Sequence, residues 1–365
     1  MNKQIHRIGV LTSGGDCAGL NAVIRAVTYR AVREYGWTVV GVLDGSAGLL
    51  DRPPRTRELG VDTFGEQYFR VGGTFLGSVS RGDPLHYRMP DGSVRDRSDE
   101  FAAGVRQIGI DALVVIGGDG SMRILSKLCA HAGIPMVGVP KTIDNDVHGT
   151  DFAVGFLTAA DVVRDALDRL QPTAASHHRA MVLEVMGRDA GHLAMAGGVA
   201  GGADVILVPE IPYRLDAVCA RIRETHDRGG SHALIVVAEG VGMQDGGKAT
   251  QIQTGGEIRY GGIGQYLAQQ IGNCTGIDTR VTLLGHVQRG GSPTTQDRLL
   301  ASAFGVHAVD LLARGQYDRM CASRGGEVRD VPLDEVTIGA RPLNLGGTVV
   351  KTALGLGVYI GDLGG

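Results

Sequence analysis

Short runs of apolar and β-branched residues recur along the chain without the alternation that marks a half-exposed strand: RIGVLT, TVVGVL, DALVVIGG and PMVGV, then AMVLEV, DVILVP, HALIVVAEG and VTLLGHV. Most are trailed by a stretch of helical periodicity, such as GLNAVIRAVTYRAVREYG, SMRILSKLCAHAG or LDAVCARIRETHDRG. Strands apolar on both faces need cover on both faces, and their alternation with helices implies parallel sheets. The 365 residues exceed what one core usually holds. The expected fold class is α/β, with two doubly wound domains built on mainly parallel sheets. A break is expected near residues 150 to 156, where GTDFAVG closes the first series. One domain then takes residues 1–155 plus about 289–340, to which the helical TTQDRLLASAFGVHAVDLLARG returns, and the other takes 156–288 plus the C-terminal segment. Residues 241 to 262 form the most loop-like stretch and read as a surface excursion.

Glycine is abundant, at 58 residues, and it sits at the ends of the apolar runs rather than in tracts, which suits turns and phosphate loops. The formal charge is -3, from 36 basic and 39 acidic residues scattered along the chain, so no electrostatic footprint points to nucleic acid or a membrane surface. An anionic ligand must be held by local groups. Cys17, Cys129, Cys219, Cys274 and Cys321 are widely spread and include no CxxC pair, so neither a disulfide framework nor a structural zinc site is indicated. A reducing cytoplasm is expected. The apolar start from Ile8 to Leu11 is far short of a signal segment, and no stretch reaches the length of a membrane span.

Three loops carry the chemistry, and in open parallel sheets ligands bind beyond the carboxyl ends of the strands, where these loops fall. In VLTSGGDCAGLN, Gly14 and Gly15 allow backbone amides to approach a phosphate at the start of a helix, although a simple strand-to-helix turn reads the same way. IGGDGS has the same layout, with Gly118, Asp119, Gly120 and Ser121 at the mouth of the sheet. Asp119 can be a helix cap. It is also a magnesium candidate, because a carboxylate beside phosphate-binding amides repels an anion unless a cation lies between. In PKTIDND, Asp144 and Asp146 stand two apart and share a side if the segment is extended, whereas in an exposed turn they would only bond local backbone. A base for an acceptor hydroxyl, a second carboxylate, the Thr142 hydroxyl and the Lys141 ammonium together suit phosphoryl transfer.

These loops in this order, with SHHRAMVLEVMGRDAGHLA and LLGHVQRGGSPTTQDR, closely resemble the 6-phosphofructokinase family from about Ile8 to Arg314. NAD and diacylglycerol kinases share a GGDG loop but lack the other motifs, and a silent relative would be marked by loss of the base, which is present. The resemblance implies phosphoryl transfer from Mg-ATP to the 1-hydroxyl of fructose 6-phosphate, in glycolysis. It assigns Asp144 as the base, with Thr142 at the sugar phosphate and Asp146 on the metal side. Gly15 would lie at the nucleotide phosphates and Asp119 at Mg2+. Arg188 would hold the transferring group, and Met186, Gly187 and Glu239 would face the sugar. Arg179 and Arg280, reaching from a neighbouring subunit, would enclose the 6-phosphate with His286 and Arg289. A homodimer or homotetramer with a shared sugar site is therefore implied, and guanidinium groups do match phosphate bidentately.

The family splits by donor, and the two diagnostic positions disagree. Gly120 is the residue of ATP users, where pyrophosphate users carry an aspartate that would collide with the α-phosphate. Lys141 is the residue of pyrophosphate users, where well-known bacterial ATP enzymes carry glycine. A steric and charge veto outweighs a flexible ammonium that serves either donor, so ATP is favoured, with pyrophosphate the alternative. The pairing resembles the mixed-substrate branch. Arg81, in GGTFLGSVSRGD, stands one position later than the family's nucleotide-supporting arginine. The first helix keeps Arg25 of the family's effector pocket but has Tyr29 at the second place, and DRGGSHALI lacks the lysine cluster, so weak or absent response to ADP and phosphoenolpyruvate is expected.

Overall fold

The computed structural model describes residues 4–65, 67–79, 82–244, 246–252 and 258–363. In chain order the elements are β1 (Arg7–Thr12), α1 (Leu20–Tyr35), β2 (Thr38–Val42), α2 (Ala47–Leu50), β3 (Thr56–Leu59), β4 (Tyr87–Arg88), β5 (Val94–Arg95), α3 (Ser98–Ile108), β6 (Ala112–Gly117), α4 (Asp119–Ala132), β7 (Met136–Thr142) and β8 (Val154–Gly155). They continue with α5 (Phe156–His177), β9 (Ala180–Val185), α6 (His192–Ala200), β10 (Val205–Leu207), α7 (Leu215–Asp227), β11 (Ala233–Ala238), β12 (Thr250–Ile252), β13 (Ile258–Tyr260), α8 (Ile263–Thr275) and β14 (Thr279–Leu283). The last are α9 (Thr295–Ala313), β15 (Arg319–Arg324), β16 (Glu327–Pro332), α10 (Leu333–Val336) and α11 (Thr348–Gly355). The chain divides into two compact units, one of residues 1–142, 147–158 and 289–339, the other of residues 143–146, 159–288 and 340–365.

The first unit is built on a sheet of strand order β16-β15-β7-β6-β1-β2-β3, with β8 paired to β7. The pairs β1–β2, β1–β6, β6–β7 and β7–β15 are parallel. All of β6 is buried, and so is β1 beyond Arg7. The uninterrupted apolar runs are therefore strands covered on both faces, the condition under which a parallel sheet is stable. Helix α9 returns against α1, and Gly305 permits the contact: a Cβ there would stand 2.6 Å from the Ala26 Cβ and 2.8 Å from the Val23 carbonyl. The sheet also has antiparallel edges, β3 on β2 and β16 on β15. Both are rich in polar residues and only partly buried (TREL, EVRDVP), and that composition hides them from a search for apolar runs.

The second unit holds the sheet β10-β11-β9-β14, parallel throughout. Strands β9 and β11 are buried along their whole length, whereas β14 forms an edge and stays largely exposed. The run VTLLGHV accordingly ends as a strand at Leu283 and continues as a 3-10 turn over Gly285–Arg289. The stretch 241–262, expected as a loop, contains the antiparallel pair β12–β13. A disulfide joins Cys219 of α7 to Cys274 of α8, with Cα atoms 6.4 Å apart. The cysteines gave no hint of this pairing because they lie 55 residues apart and only the packing of two helices brings them together. Cys17, Cys129 and Cys321 are free and buried. Among the described residues no helix is long and apolar enough to cross a membrane.

Candidate active site

In the first unit, the C-terminal ends of neighbouring strands carry the glycine loops. After β1, the Ser13 N–H donates to the Ile116 carbonyl of β6 at 2.9 Å, the Gly14 N–H donates to the Val79 carbonyl at 3.1 Å, and the Ser78 hydroxyl donates to the Gly14 carbonyl at 2.6 Å. Gly14 has φ +87°, a conformation costly for any residue with a Cβ. Lys141, at the end of β7, is only 4 % exposed and donates from Nζ to the Gly15 carbonyl. A Cβ on Gly14 would lie 3.2 Å from that Nζ and 3.5 Å from the Ser121 Oγ. The two glycine loops and the Lys141 ammonium thus converge on one spot.

The second loop enters α4 through Gly118, in an extended conformation, so Asp119 opens the helix without acting as its cap. Its carboxylate is half-buried and makes no hydrogen bond or ion pair among the described residues. That leaves it available to a cation. No cluster of three or more His, Cys, Asp or Glu side chains that could hold a metal occurs among the described residues. A Cβ built on Gly120 meets nothing within 4 Å. The fold does not require glycine there. Arg289 lies in this unit, where Nη1 donates to the Asp16 carbonyl at 3.1 Å and the guanidinium covers Gly15. It therefore stands at the first glycine loop. Thr142 ends β7 half-buried, and Arg81 lies outside the described residues.

In the second unit, Asp144 is 5 % exposed, so its carboxylate is not turned to bulk water. Asn145 follows with φ +52° and is equally buried. The VMGRDAG turn is heavily tied. The Met186 N–H donates to the Gln288 Oε1 at 2.9 Å, and the Arg188 N–H donates to the Glu239 Oε1 at 3.1 Å. Arg188 itself has φ +51° and an exposed side chain. Gly187, at φ +142°, approaches the Ala190 carbonyl too closely for a Cβ. Glu239 has its backbone N–H on the Val185 carbonyl at 2.8 Å, at the end of buried β11. Arg179 and Arg280 meet on one carboxylate, with Nε of the first 2.7 Å and Nη1 of the second 2.8 Å from the two oxygens of Asp278. His286 is exposed in the 3-10 turn after β14.

Sequence reasoning passed over several residues that support this turn. Asp189 accepts from Lys248 Nζ at 2.6 Å and from the Tyr260 hydroxyl at 2.8 Å, and the Lys248 hydrogen bond holds its carboxyl below the usual range. Lys248 also lies 4.5 Å over the Tyr260 ring. The 241–262 excursion is thereby pinned to the residue after Arg188. Glu184, buried within β9, accepts from the Gly262 and Gly264 N–H groups at the start of α8, and burial pushes its carboxyl up. The signal available was a charged residue inside an apolar run, AMVLEV, which a buried position allows only with partners.

A sequence profile of the phosphofructokinase family matches residues 7–312. An ATP-dependent 6-phosphofructokinase of Synechocystis sp. is 52% identical over 359 residues, covering 98% of this chain and 99% of that protein. One from Chloroflexus aggregans is 44% identical and covers 99% of each. Among solved structures, the phosphofructokinase of Saccharomyces cerevisiae matches with a TM-score of 0.75 at 31% identity, over 90% of this chain and 45% of that one. A pyrophosphate-dependent phosphofructokinase from Marinobacter aquaeolei matches with a TM-score of 0.77 at 21% identity, over 98% and 93%, a likeness of fold alone. With glycine loops at the strand ends of one unit, the tied VMGR turn in the other, and a profile and relatives spanning nearly the whole length, the chain belongs to the phosphofructokinase family.

Proposed function

We propose that the protein transfers the terminal phosphoryl group of ATP to the 1-hydroxyl of D-fructose 6-phosphate, giving fructose 1,6-bisphosphate and ADP. The observation that carries this reading is the buried Lys141 ammonium beside the Gly14–Gly15 turn and the Ser121 hydroxyl. Such a concentration of donors in one place suits the phosphates of a nucleotide. The same residues suit the donor's chain of phosphates, with Gly15, Gly118, Gly120 and Ser121 offering backbone amides and a hydroxyl. Mg2+ held by Asp119 would offset the charge of the donor phosphates.

Asp144 takes the proton of the sugar 1-hydroxyl as that oxygen forms its bond to the terminal phosphorus and the bond to the ADP oxygen breaks. Its burial keeps the carboxylate out of bulk water. Thr142 donates to the phosphorylated sugar, and Arg188, held by Glu239 through its backbone, offers its free guanidinium to the transferring group. Met186, Gly187 and Glu239 face the sugar. Arg179, Arg280, His286 and Arg289 bind the 6-phosphate. The exposure of Arg280 and His286, beside Leu283 at 53% and Val287 at 66%, suits a site completed by a second copy of the chain, so a homodimer or homotetramer is the working form. The open space at Gly120 favours ATP over pyrophosphate, and the cytoplasm is the compartment where both substrates occur. A coupled assay on purified protein with fructose 6-phosphate, run with ATP and then with pyrophosphate, tests the reading. Turnover with pyrophosphate alone would reverse the donor assignment, and turnover with neither would refute the activity.

A further inference from the structure

We propose that Arg341 is a positioning residue for Asp144. It lies beyond the segment matched by the family profile, which ends at residue 312, in the C-terminal portion of the second unit. Its Nη2 donates to the Asn145 carbonyl at 2.7 Å and its backbone N–H donates to the Asp146 carbonyl at 2.6 Å. These are the two peptide carbonyls that follow Asp144. Asn145, which directly follows Asp144 and owns the first of these carbonyls, holds φ +52° while buried, a conformation that costs a non-glycine residue free energy and persists only where neighbours enforce it. One guanidinium N–H and one backbone N–H aimed at successive carbonyls are such an enforcement, and they set the direction in which the preceding side chain leaves the backbone.

Arg341 is itself held. Its carbonyl is 3.2 Å from the His192 Nε2, which donates if the ring carries its proton there, at the start of α6. Two residues on, the Leu343 N–H donates to the Glu210 Oε1 at 2.8 Å, and the same carboxylate accepts from the Gly191 N–H. The segment 341–343 is therefore laced to the residues that follow the VMGRDAG turn at one edge and to the IDND turn at the other, all within the second unit. A displacement of catalytic groups by about 1 Å can cost about 10²-fold in rate, so a strap that fixes the backbone on the C-terminal side of the base bears on turnover and less on substrate affinity.

The inference rests on Asp144 being the base, and the experiment separates the two. Full-length Arg341→Gln and Arg341→Lys proteins are compared with wild type for melting temperature, for kcat, and for KM of fructose 6-phosphate and ATP, with Asp144→Ser alongside. The expected result is a fall in kcat of about 10²-fold for Arg341→Gln with both KM values within threefold, and recovery of most of that loss in Arg341→Lys, which keeps a cation for the Asn145 carbonyl. Arg341→Lys is the safeguard should the glutamine protein fold poorly. The proposal is overturned if kcat stays within twofold of wild type in Arg341→Gln, or if the loss appears in KM with kcat unchanged, or if both variants lose activity only in proportion to lost folded protein. Wild-type turnover in Asp144→Ser would instead sink the reading of Asp144 as base.

Discussion

Gly120→Asp is the substitution whose outcome follows most directly from the structure. Ordinarily a new carboxylate in a glycine loop risks unfolding the loop, and loss of activity would then say nothing about donors. Here a Cβ at position 120 meets nothing within 4 Å, and the backbone is in an ordinary negative-φ conformation in the first turn of α4. The fold should therefore accept the side chain, and aspartate near a helix N-terminus is even mildly favoured. What it cannot accept is a phosphate in the same space. A carboxylate about 4 Å from a phosphate charge costs roughly 4 kcal/mol at an effective dielectric constant near 20. That corresponds to a loss of about 10³-fold in kcat/KM for ATP. The assay is steady-state kinetics with varied ATP at saturating fructose 6-phosphate, beside a thermal melt. Gly120→Ala serves as control: it adds volume without charge, should stabilise α4 by up to about 1 kcal/mol, and should retain most ATP use. The reasoning is refuted if Gly120→Asp melts with wild type and keeps kcat/KM for ATP within tenfold.

Other substitutions probe the remaining parts. Asp144→Ser should lower kcat by several orders of magnitude with KM little changed, because removal of a base acts on the transition state; single-turnover kinetics would reveal it. Thiol labelling of denatured protein should modify three cysteines without reductant and five after reduction, given the Cys219–Cys274 bond and the three free thiols; five in both conditions would exclude the disulfide in solution. His192 has its pKa lowered by burial and by the Arg341 charge, so the unfolded chain binds the proton more readily. Stability is then complete above the ordinary histidine pKa of about 6.5 and declines as pH falls below it, and His192→Asn should lessen that decline in pH-dependent melts. Lys248→Met removes a partly exposed ion pair and should change stability by less than about 1 kcal/mol in urea unfolding; a larger loss would show that the β12–β13 segment supports the core.

How much of this was legible in the sequence depended on the kind of interaction. The parallel strands were plain because burial on both faces writes an unbroken apolar run, as in ALVVIG of β6 and AMVLEV of β9. The antiparallel edges β3 and β16 escaped because they are only partly buried, and TREL or EVRDVP resembles a loop in composition. The glycine loops were visible because positive φ at Gly14 and Gly187 restricts the residue that can stand there. Lys141 and Asp144 were visible as charged residues at the end of an apolar strand, where burial demands a purpose. Arg341 was not, since its partners are backbone carbonyls, and a carbonyl leaves no trace in residue type. Asp189 with Lys248 and Tyr260 was hidden for another reason: the partners come from a segment whose sequence reads as a loop, and a distant ion pair has no local period.

On the proposed reading the two units hold anions by different means, and this bears on how specificity arises. In the first, the anion site is made of backbone turns, one hydroxyl and one ammonium, all of which serve any chain of phosphates. A point charge such as Lys141 does not distinguish a nucleotide from pyrophosphate. Discrimination at that site must come from what is left out, and the empty space at Gly120 is the feature that admits a larger donor. In the second, the groups are guanidiniums whose planar forks match a phosphate in one orientation, and Asp278 holds two of them at once. Selection there is by fit. A change that adds a side chain in the first unit should therefore alter the donor while leaving the sugar KM in place, whereas loss of one arginine in the second should raise the sugar KM with either donor.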